Sequence, residues 1–200
     1  IVTTDLLVPN SGETLTSHLN SIRTSFDLSY DSVAMQIIRL LPGTEMESDE
    51  SRKKYGVKTK WRLTDCGWGE YENEFIYEID ENIMSTNDMS EEEMHFIKKV
   101  HFLVGICWTY GAGKPLLKLA SNNGINPLDI IIDIIKDKKS LFSQKILTPL
   151  ETEFLNEWFD TKEELIRYYS NNSAEVKNFK KLNLKYLSKM VLEKHLMDEL

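Results

Sequence analysis

The segment best placed to do chemistry lies near the start of the chain, between Asp5 and Thr14. It follows a predicted strand and opens onto a predicted helix, which is where open-sheet and barrel enzymes bind their ligands. Backbone N–H groups at the helix start, with Gly12 permitting close approach, suit a carboxylate or a hydroxyl-rich ligand. The alternative is that Glu13 and Thr14 simply begin the helix, whose first turn favours acidic residues.

Two polar residues, Gln36 and Arg39, interrupt an otherwise apolar run from Ser32 to Leu41. One of them can point into a barrel interior toward a cofactor or substrate, because a buried polar group needs a partner there. The alternative is that Arg39 lies at a strand end and extends its guanidinium into solvent.

A second set of candidates consists of large side chains that can wall a substrate pocket. The aromatic members are Trp61, Trp68, Tyr71, Trp108 and Tyr110. Large aromatic side chains also bury well in any core, so the alternative is a structural role. His101, on the apolar stripe of a predicted helix, is either a substrate contact or a hydrogen-bonded core residue.

The sequence predicts no metal site. Cys66 and Cys107 are too few and too far apart for a zinc site or a disulfide framework. His95 and His101 are separated by six positions, which does not place them on one helix face. The string Gly111–Lys114 lacks the first glycine and the following Ser or Thr of a phosphate-binding loop.

The elements that must position these residues begin with a strand, a helix and a second strand. We predict a strand over Ile1–Val8, an amphipathic helix over Glu13–Leu28 and a strand over Ser32–Leu41. Such a unit pairs its strands in parallel with a right-handed crossover. Because two parallel strands cannot stand alone, further strands are implied. The predicted fold class is α/β, with residues 1–47 forming the last strands of a partial parallel (βα) barrel.

A bridging segment and a helical domain are predicted to follow. In the bridging segment, residues 48–88, Thr59–Leu63 and Glu74–Ile79 are predicted strands. Asp65–Tyr71 between them is predicted to be a loop or hairpin that crosses an opening. Residues 89–200 are predicted to form an all-helical domain.

The helical domain contains several helix-start signals. Capping boxes are predicted to begin at Ser90, Thr148 and Thr161. Shorter helices are predicted over Pro115–Ser121 and Pro127–Lys136, and a last amphipathic helix from Leu184 to the end of the sequence.

Composition narrows the class of protein. The net charge of −8 lacks the cationic excess that nucleic-acid binding needs, and the apolar runs are too short to span a bilayer. Two lone cysteines fit a reducing compartment, so we expect a cytoplasmic protein with no membrane span and no nucleic-acid partner.

The sequence opens on a β-branched run without an initiator Met, as a cut through a domain would. We therefore expect an N-terminal part of the same protein to be missing.

Two motifs recur together in one known family. A strand containing Asp5–Val8 leads into Gly12-Glu13-Thr14, and the second strand runs into Leu41–Met46. This pattern resembles the fifth and sixth strands of radical S-adenosylmethionine (SAM) enzymes. Later segments resemble the branch that carries an N-terminal cobalamin-binding domain; they are Lys54–Leu63, Gly69–Tyr71 and Met89–Glu93. The resemblance covers about residues 1–112.

The resemblance implies an enzyme whose 4Fe-4S cluster, held by three clustered cysteines, cleaves SAM to a 5′-deoxyadenosyl radical. It implies that Asp5 contacts the SAM ribose and that Gly12 and Glu13 line the rim of that site. Gln36 and Arg39, selected from the apolar run above, are the further candidates for cofactor binding. The cysteine motif is absent here, so this chain is expected to be inactive alone. The implied reaction is methyl transfer or rearrangement at an unactivated carbon of a small-molecule, lipid or peptide substrate, with cobalamin as a further cofactor.

Two alternatives remain open at this point. One is another branch of the same superfamily, of the methylthiotransferase or coproporphyrinogen-oxidase type, which shares the strand and turn around Asp5 and Gly12. The other is a non-catalytic, mostly helical interaction module. A clustered three-cysteine motif in the upstream coding sequence would favour an enzyme, and a cobalamin domain would select the branch.

Overall fold

The computed structural model describes residues 1–172, 175 and 182–192, except for the side chains of Asp65, Cys66 and Val191. It is a mixed α/β structure with small sheets, which agrees with the predicted fold class at that level.

A parallel strand–helix–strand unit opens the chain. Strand β1 (Thr3–Val8) pairs in parallel with β2 (Ser32–Ile37), and helix α1 (Leu15–Asp27) connects them. The register sets Thr3 opposite Ser32 and Val8 opposite Ile37. The predicted parallel pairing is therefore confirmed.

Strand β2 has a different partner beyond Ile37. The amide of Leu40 donates to Glu81 O at 2.8 Å, and Ile38 O accepts from the amide of Ile83 at 3.0 Å. The run predicted as one strand to Leu41 is therefore divided: its first part pairs in parallel with β1, and residues 38–40 pair antiparallel with the later hairpin.

That hairpin is longer than predicted. After a 3₁₀ turn (Glu45–Glu47) and helix α2 (Asp49–Tyr55), strand β3 (Lys58–Tyr71) pairs antiparallel with β4 (Glu74–Ser85). Glu72 and Asn73 both have positive φ, as a two-residue hairpin turn requires. Of the two structures predicted for Asp65–Tyr71, the loop is wrong and the hairpin is confirmed, because that segment is the end of β3 and pairs with β4.

The rest of the described chain is helical, as predicted. Its helices are α3 (Glu91–Val104), α4 (Lys114–Asn122), α5 (Pro127–Lys136), α6 (Thr148–Asn156), α7 (Lys162–Asn171) and α8 (Leu182–Leu192), with π-helical turns at Gly105–Thr109 and Ser143–Leu147. In the described ranges, no helix is long and apolar enough to cross a membrane. The predicted last helix is described as far as Leu192, and the remainder of that prediction lies outside the described residues.

The predicted helix starts had different outcomes. Ser90 caps α3 in a full capping box with Glu93, and Thr161 accepts a hydrogen bond from the amide of Glu164 at the start of α7. Thr148 is not a cap, because a π-helical turn runs directly into α6 and its helical backbone already satisfies that end.

One hydrophobic cluster joins the opening unit to the helices. Ile22 and Phe26 of α1 and Val33 of β2 belong to the same buried cluster as Val100 and Leu103 of α3. α1 and β2 are thus packed against the C-terminal helices. The three-part division of the chain into domains stays a prediction.

Candidate functional site

A cavity of about 590 Å³ lies where the carboxyl end of β2, the hairpin and α3 meet. Its walls are formed by Met35, Gln36, Ile37, Arg39, Arg62, Thr64, Asp80, Asn82, Lys98, His101, Tyr110, Trp158, Leu182, Asn183 and Leu184. The volume is in the range of small-molecule sites.

The change of partner along β2 builds this cavity. Arg39 forms a backbone bridge with Asn82 of β4, which sets the polar end of β2 beside the polar middle of the hairpin. The Arg39 guanidinium is about half exposed and lies 3.4 Å from Asp80, whose side chain is 15% exposed. The predicted pair Gln36 and Arg39 therefore reaches one cavity, together with His101.

Two buried imidazoles connect the opening turn to the cavity. His18 Nδ1 lies 2.9 Å from Glu13 Oε1, and His18 Nε2 lies 2.9 Å from His101 Nε2. His18 is 1% exposed and His101 is 8% exposed. A continuous hydrogen-bonded chain thus runs from the end of β1 through α1 to the cavity wall on α3.

The charge of this chain is set by burial. Desolvation lowers the pKa of His101 well below its ordinary value, and the neighbouring His18 and Lys98 lower it further. His101 is therefore neutral at pH 7, and one of the two Nε2 atoms donates to the other.

Glu13 is also held from its other side. Its Oε2 accepts from the backbone amide of Asn10 at 2.8 Å, while the Asn10 carboxamide donates to Leu7 O. Gly12 has φ +77°, a conformation that other residues avoid. A Cβ on Gly12 would meet no atom within 4 Å, so this glycine serves the turn rather than a close approach.

Three N–H donors on residues of the cavity wall have no hydrogen-bond partner among the described residues. They are Arg62 Nε, Asn82 Nδ2 and Trp158 Nε1, and all three are shielded from solvent. The Asn82 residue is only 2% exposed. Leaving such a donor unpaired costs on the order of 1–3 kcal/mol, so three of them on residues of one cavity wall distinguish this region.

The remaining predicted residues lie outside this cavity. Asp5 is exposed on β1, and its register partner is Ala34 of β2. Trp68 packs in a small cluster beneath the hairpin, and Tyr71 is 64% exposed at the hairpin end. Trp108 is 2% exposed in the main core.

The environment of Trp108 is structural. Its Nε1 donates to Tyr30 O at 2.8 Å, and Phe26 packs edge-on at 4.8 Å between ring centroids. The predicted aromatic wall therefore does not assemble in the described chain, and only Tyr110 of that set lines the cavity.

Sequence reasoning missed most of the cavity wall. Arg62, Asn82 and Trp158 come from separate elements, and no spacing rule links them. His18 carried a weak signal, because it precedes the buried Ile22 by four positions and so shares its helix face. A polar residue on a buried helix face needs a buried partner.

The described residues offer no group of three or more metal-ligating side chains. Cys107 is buried, and desolvation raises the pKa of its thiol to about 11. Iron is bound by thiolates, so this thiol does not suit a 4Fe-4S cluster.

Neither models of known protein families nor the curated proteins give a match to this chain.

Proposed function

We propose that this chain is the C-terminal part of a cytoplasmic radical SAM enzyme of the cobalamin-linked branch. The observation that carries the proposal is the β1–α1–β2 unit, whose sheet is covered on one face and open on the other. The family is proposed from the motifs around Gly12 and Leu41–Met46. The sheet supports it because one face is covered by helices and the other is open, as expected of strands in an α/β barrel.

The covered face packs on the helices. Leu6, Met35 and Ile37 lie against the main core, in which Val33 is buried. The opposite face carries Asp5, which is exposed together with Leu7 and Gln36. In an α/β barrel, each strand likewise presents one face to the helices and the other to the interior. We propose that Asp5 and Gln36 face such an interior.

The SAM site fits these residues in part. Asp5 and Gln36 are exposed polar groups on the open face, as a ribose and amino-acid site requires. Glu13 has both oxygens engaged, with His18 and Asn10, so in this proposal it positions His18 at the rim rather than contacting SAM. Arg39 pairs with Asp80 and belongs to the cavity.

The cluster and the cobalamin belong elsewhere in this proposal. The chain has two cysteines, and the buried Cys107 thiol does not suit iron. The three cluster ligands are therefore assigned to another part of the protein. When bound, that cluster supplies the electron for SAM cleavage. The residues of this chain contribute the polar open face and the cavity for the substrate.

The first test is the coding sequence ahead of Ile1. A clustered three-cysteine motif there supports the enzyme, and a cobalamin-binding domain supports the branch. A neighbouring sequence without the motif removes the enzyme proposal and favours the helical interaction module.

The second test is SAM binding to the protein that carries the cluster domain. Asp5→Asn should weaken SAM binding about tenfold by calorimetry, because a carboxylate that accepts from ribose hydroxyls contributes about 1–2 kcal/mol. Asp88→Asn, which changes an exposed carboxylate far along the chain, is the control. Equal SAM affinity in both variants would remove Asp5 from the site.

A further inference from the structure

We propose that the cavity binds a small molecule through an oxyanion, either a carboxylate or a phosphate. The claim that this molecule is the substrate rests on the proposed function. The claim that the cavity binds an oxyanion rests only on the residues of the cavity. Two features support it: N–H donors without a partner on residues of the wall, and the cationic side chains of the lining.

The first feature is the set of unpaired donors. Arg62 Nε, Asn82 Nδ2 and Trp158 Nε1 come from β3, β4 and the segment after α6, and each belongs to a side chain of the cavity wall. All three donate, so the ligand atoms that satisfy them must accept. These N–H groups are shielded from solvent, so a ligand oxygen would reach them only if each side chain turned on binding.

The second feature is charge. Among the described residues, the lining includes the cations Arg39, Arg62 and Lys98 and the carboxylate Asp80. Arg39 pairs with Asp80, and Arg62 lies 4.0 Å from Glu157, which is not part of the lining. The lining itself therefore carries more cations than carboxylates, in a chain whose net charge is −8. A concave wall of one sign concentrates its field and selects a ligand of the other sign.

His101 is an uncharged member of the wall. Burial, His18 and Lys98 keep its pKa low, so it adds no positive charge to the lining. Its Nε2 is already hydrogen-bonded to His18, which fixes the ring. The cations and the unpaired donors therefore set the selectivity of the cavity, and an oxyanion satisfies both.

Arginine and indole donors favour planar or tetrahedral oxyanions over halide ions. The Arg62 guanidinium lies over the Trp158 ring, with Cζ 5.6 Å from the ring centroid. This stacking places two of the donor side chains next to each other. Charge-assisted hydrogen bonds of this type are stronger than neutral ones.

The experiment follows the indole N–H resonances of the full chain by NMR. Inorganic phosphate, succinate, neutral succinamide and SAM are each titrated separately. The Trp158 resonance, assigned from a Trp158→Phe variant, should shift with phosphate or succinate and saturate as one site. The Trp108 resonance should stay fixed, because its N–H is bonded to Tyr30 O.

Arg39→Gln and Lys98→Gln should each weaken anion binding about tenfold, since each removes one charged partner. Arg167→Gln removes an exposed arginine on α7 and should leave the affinity unchanged. Phosphate binding without succinate binding identifies a phosphate ligand, and the reverse identifies a carboxylate. Thermal unfolding of every variant checks that it is folded.

Several outcomes overturn the proposal. A Trp158 resonance that moves with no anion, or equally with succinamide, removes the oxyanion site. Affinity unchanged by both Arg39→Gln and Lys98→Gln does the same. A response to SAM alone assigns the cavity to the cofactor instead of the substrate. Anion binding by a chain whose upstream coding sequence lacks the cysteine motif would support the anion site and remove only the proposed enzyme.

Discussion

His101 shows how a single buried residue couples the fold to pH. Its pKa in the folded protein is lowered by burial and by His18 and Lys98, whereas the unfolded chain keeps an ordinary value near 6.5. Below that pH the unfolded chain binds a proton that the folded protein does not. The contribution of His101 to stability is therefore constant above about pH 6.5 and decreases as the pH falls.

We predict that the free energy of unfolding in urea decreases by about 1 kcal/mol more between pH 7.5 and 5.5 in the wild type than in a His101→Gln variant. Glutamine keeps a hydrogen-bonding group near His18 but cannot be protonated. The same pH dependence in both proteins would show that His101 is not the titrating group.

Trp108 tests the difference between a core residue and a pocket residue. The Trp108→Phe substitution removes the donor to Tyr30 O and leaves a small void beside Phe26. We predict a loss of about 1–3 kcal/mol in unfolding free energy with anion affinity unchanged. A Trp108→Phe variant that is as stable as the wild type but binds anions less well would show that Trp108 contributes to the site.

At this scale the sequence located some polar positions of the site but not their partners. Gln36, Arg39 and His101 could be selected because each interrupts an apolar pattern. Asn82 and Trp158 could not be selected, since each is one ordinary residue in its own element. Their significance arises from contacts between distant parts of the chain.

At the scale of elements, periodicity located the opening strand–helix–strand unit but not the full hairpin. The glycines of Asp65–Tyr71 resembled a loop. Gly67 is instead required by crowding within the hairpin, where a Cβ would lie 2.7 Å from the Cβ of Glu78. The same glycine can serve a loop or a tight strand contact, and sequence alone does not distinguish the two.

Helix α2 is attached to the hairpin by a bidentate ion pair. Arg52 Nη1 and Nη2 donate to the two oxygens of Glu81 at 2.7 and 2.9 Å, and Thr59 Oγ1 donates to the same carboxylate at 2.5 Å. Burial raises the pKa of Glu81, but these hydrogen bonds outweigh burial and hold it below its ordinary value. The Glu81 contribution to stability is therefore lost as the pH falls toward the acid range.

We predict that Glu81→Gln lowers the unfolding free energy at pH 7 by about 1–2 kcal/mol, since the pair is partly exposed and partly screened. The difference from the wild type should shrink as the pH is lowered. Glu74→Gln, at an exposed position of the same strand, is the control. A Glu81→Gln loss no larger than that of Glu74→Gln would mean that the pair does not hold α2.

For the whole molecule, the cavity depends on how the small sheets meet. β2 is shared between a parallel partner and the antiparallel hairpin, and the cavity lies beside that junction. Local patterns define each sheet but carry no information about the junction. The location of the site was therefore the part of the architecture least accessible from the sequence.

The open face of the β1–β2 sheet has a consequence for behaviour in solution. Within the described residues β1 pairs with β2 alone, so its other edge offers unpaired backbone groups, and Leu7 on the open face is 50% exposed. Such an edge favours pairing with another copy.

We predict concentration-dependent self-association of the isolated chain, measured by light scattering. Leu7→Lys should reduce it, because a charge on this face opposes contact, whereas Leu116→Lys, which changes a 65% exposed leucine on α4, should not. A monodisperse monomer at high concentration would contradict the open face as an association surface, and equal effects of the two lysines would indicate general solubility instead.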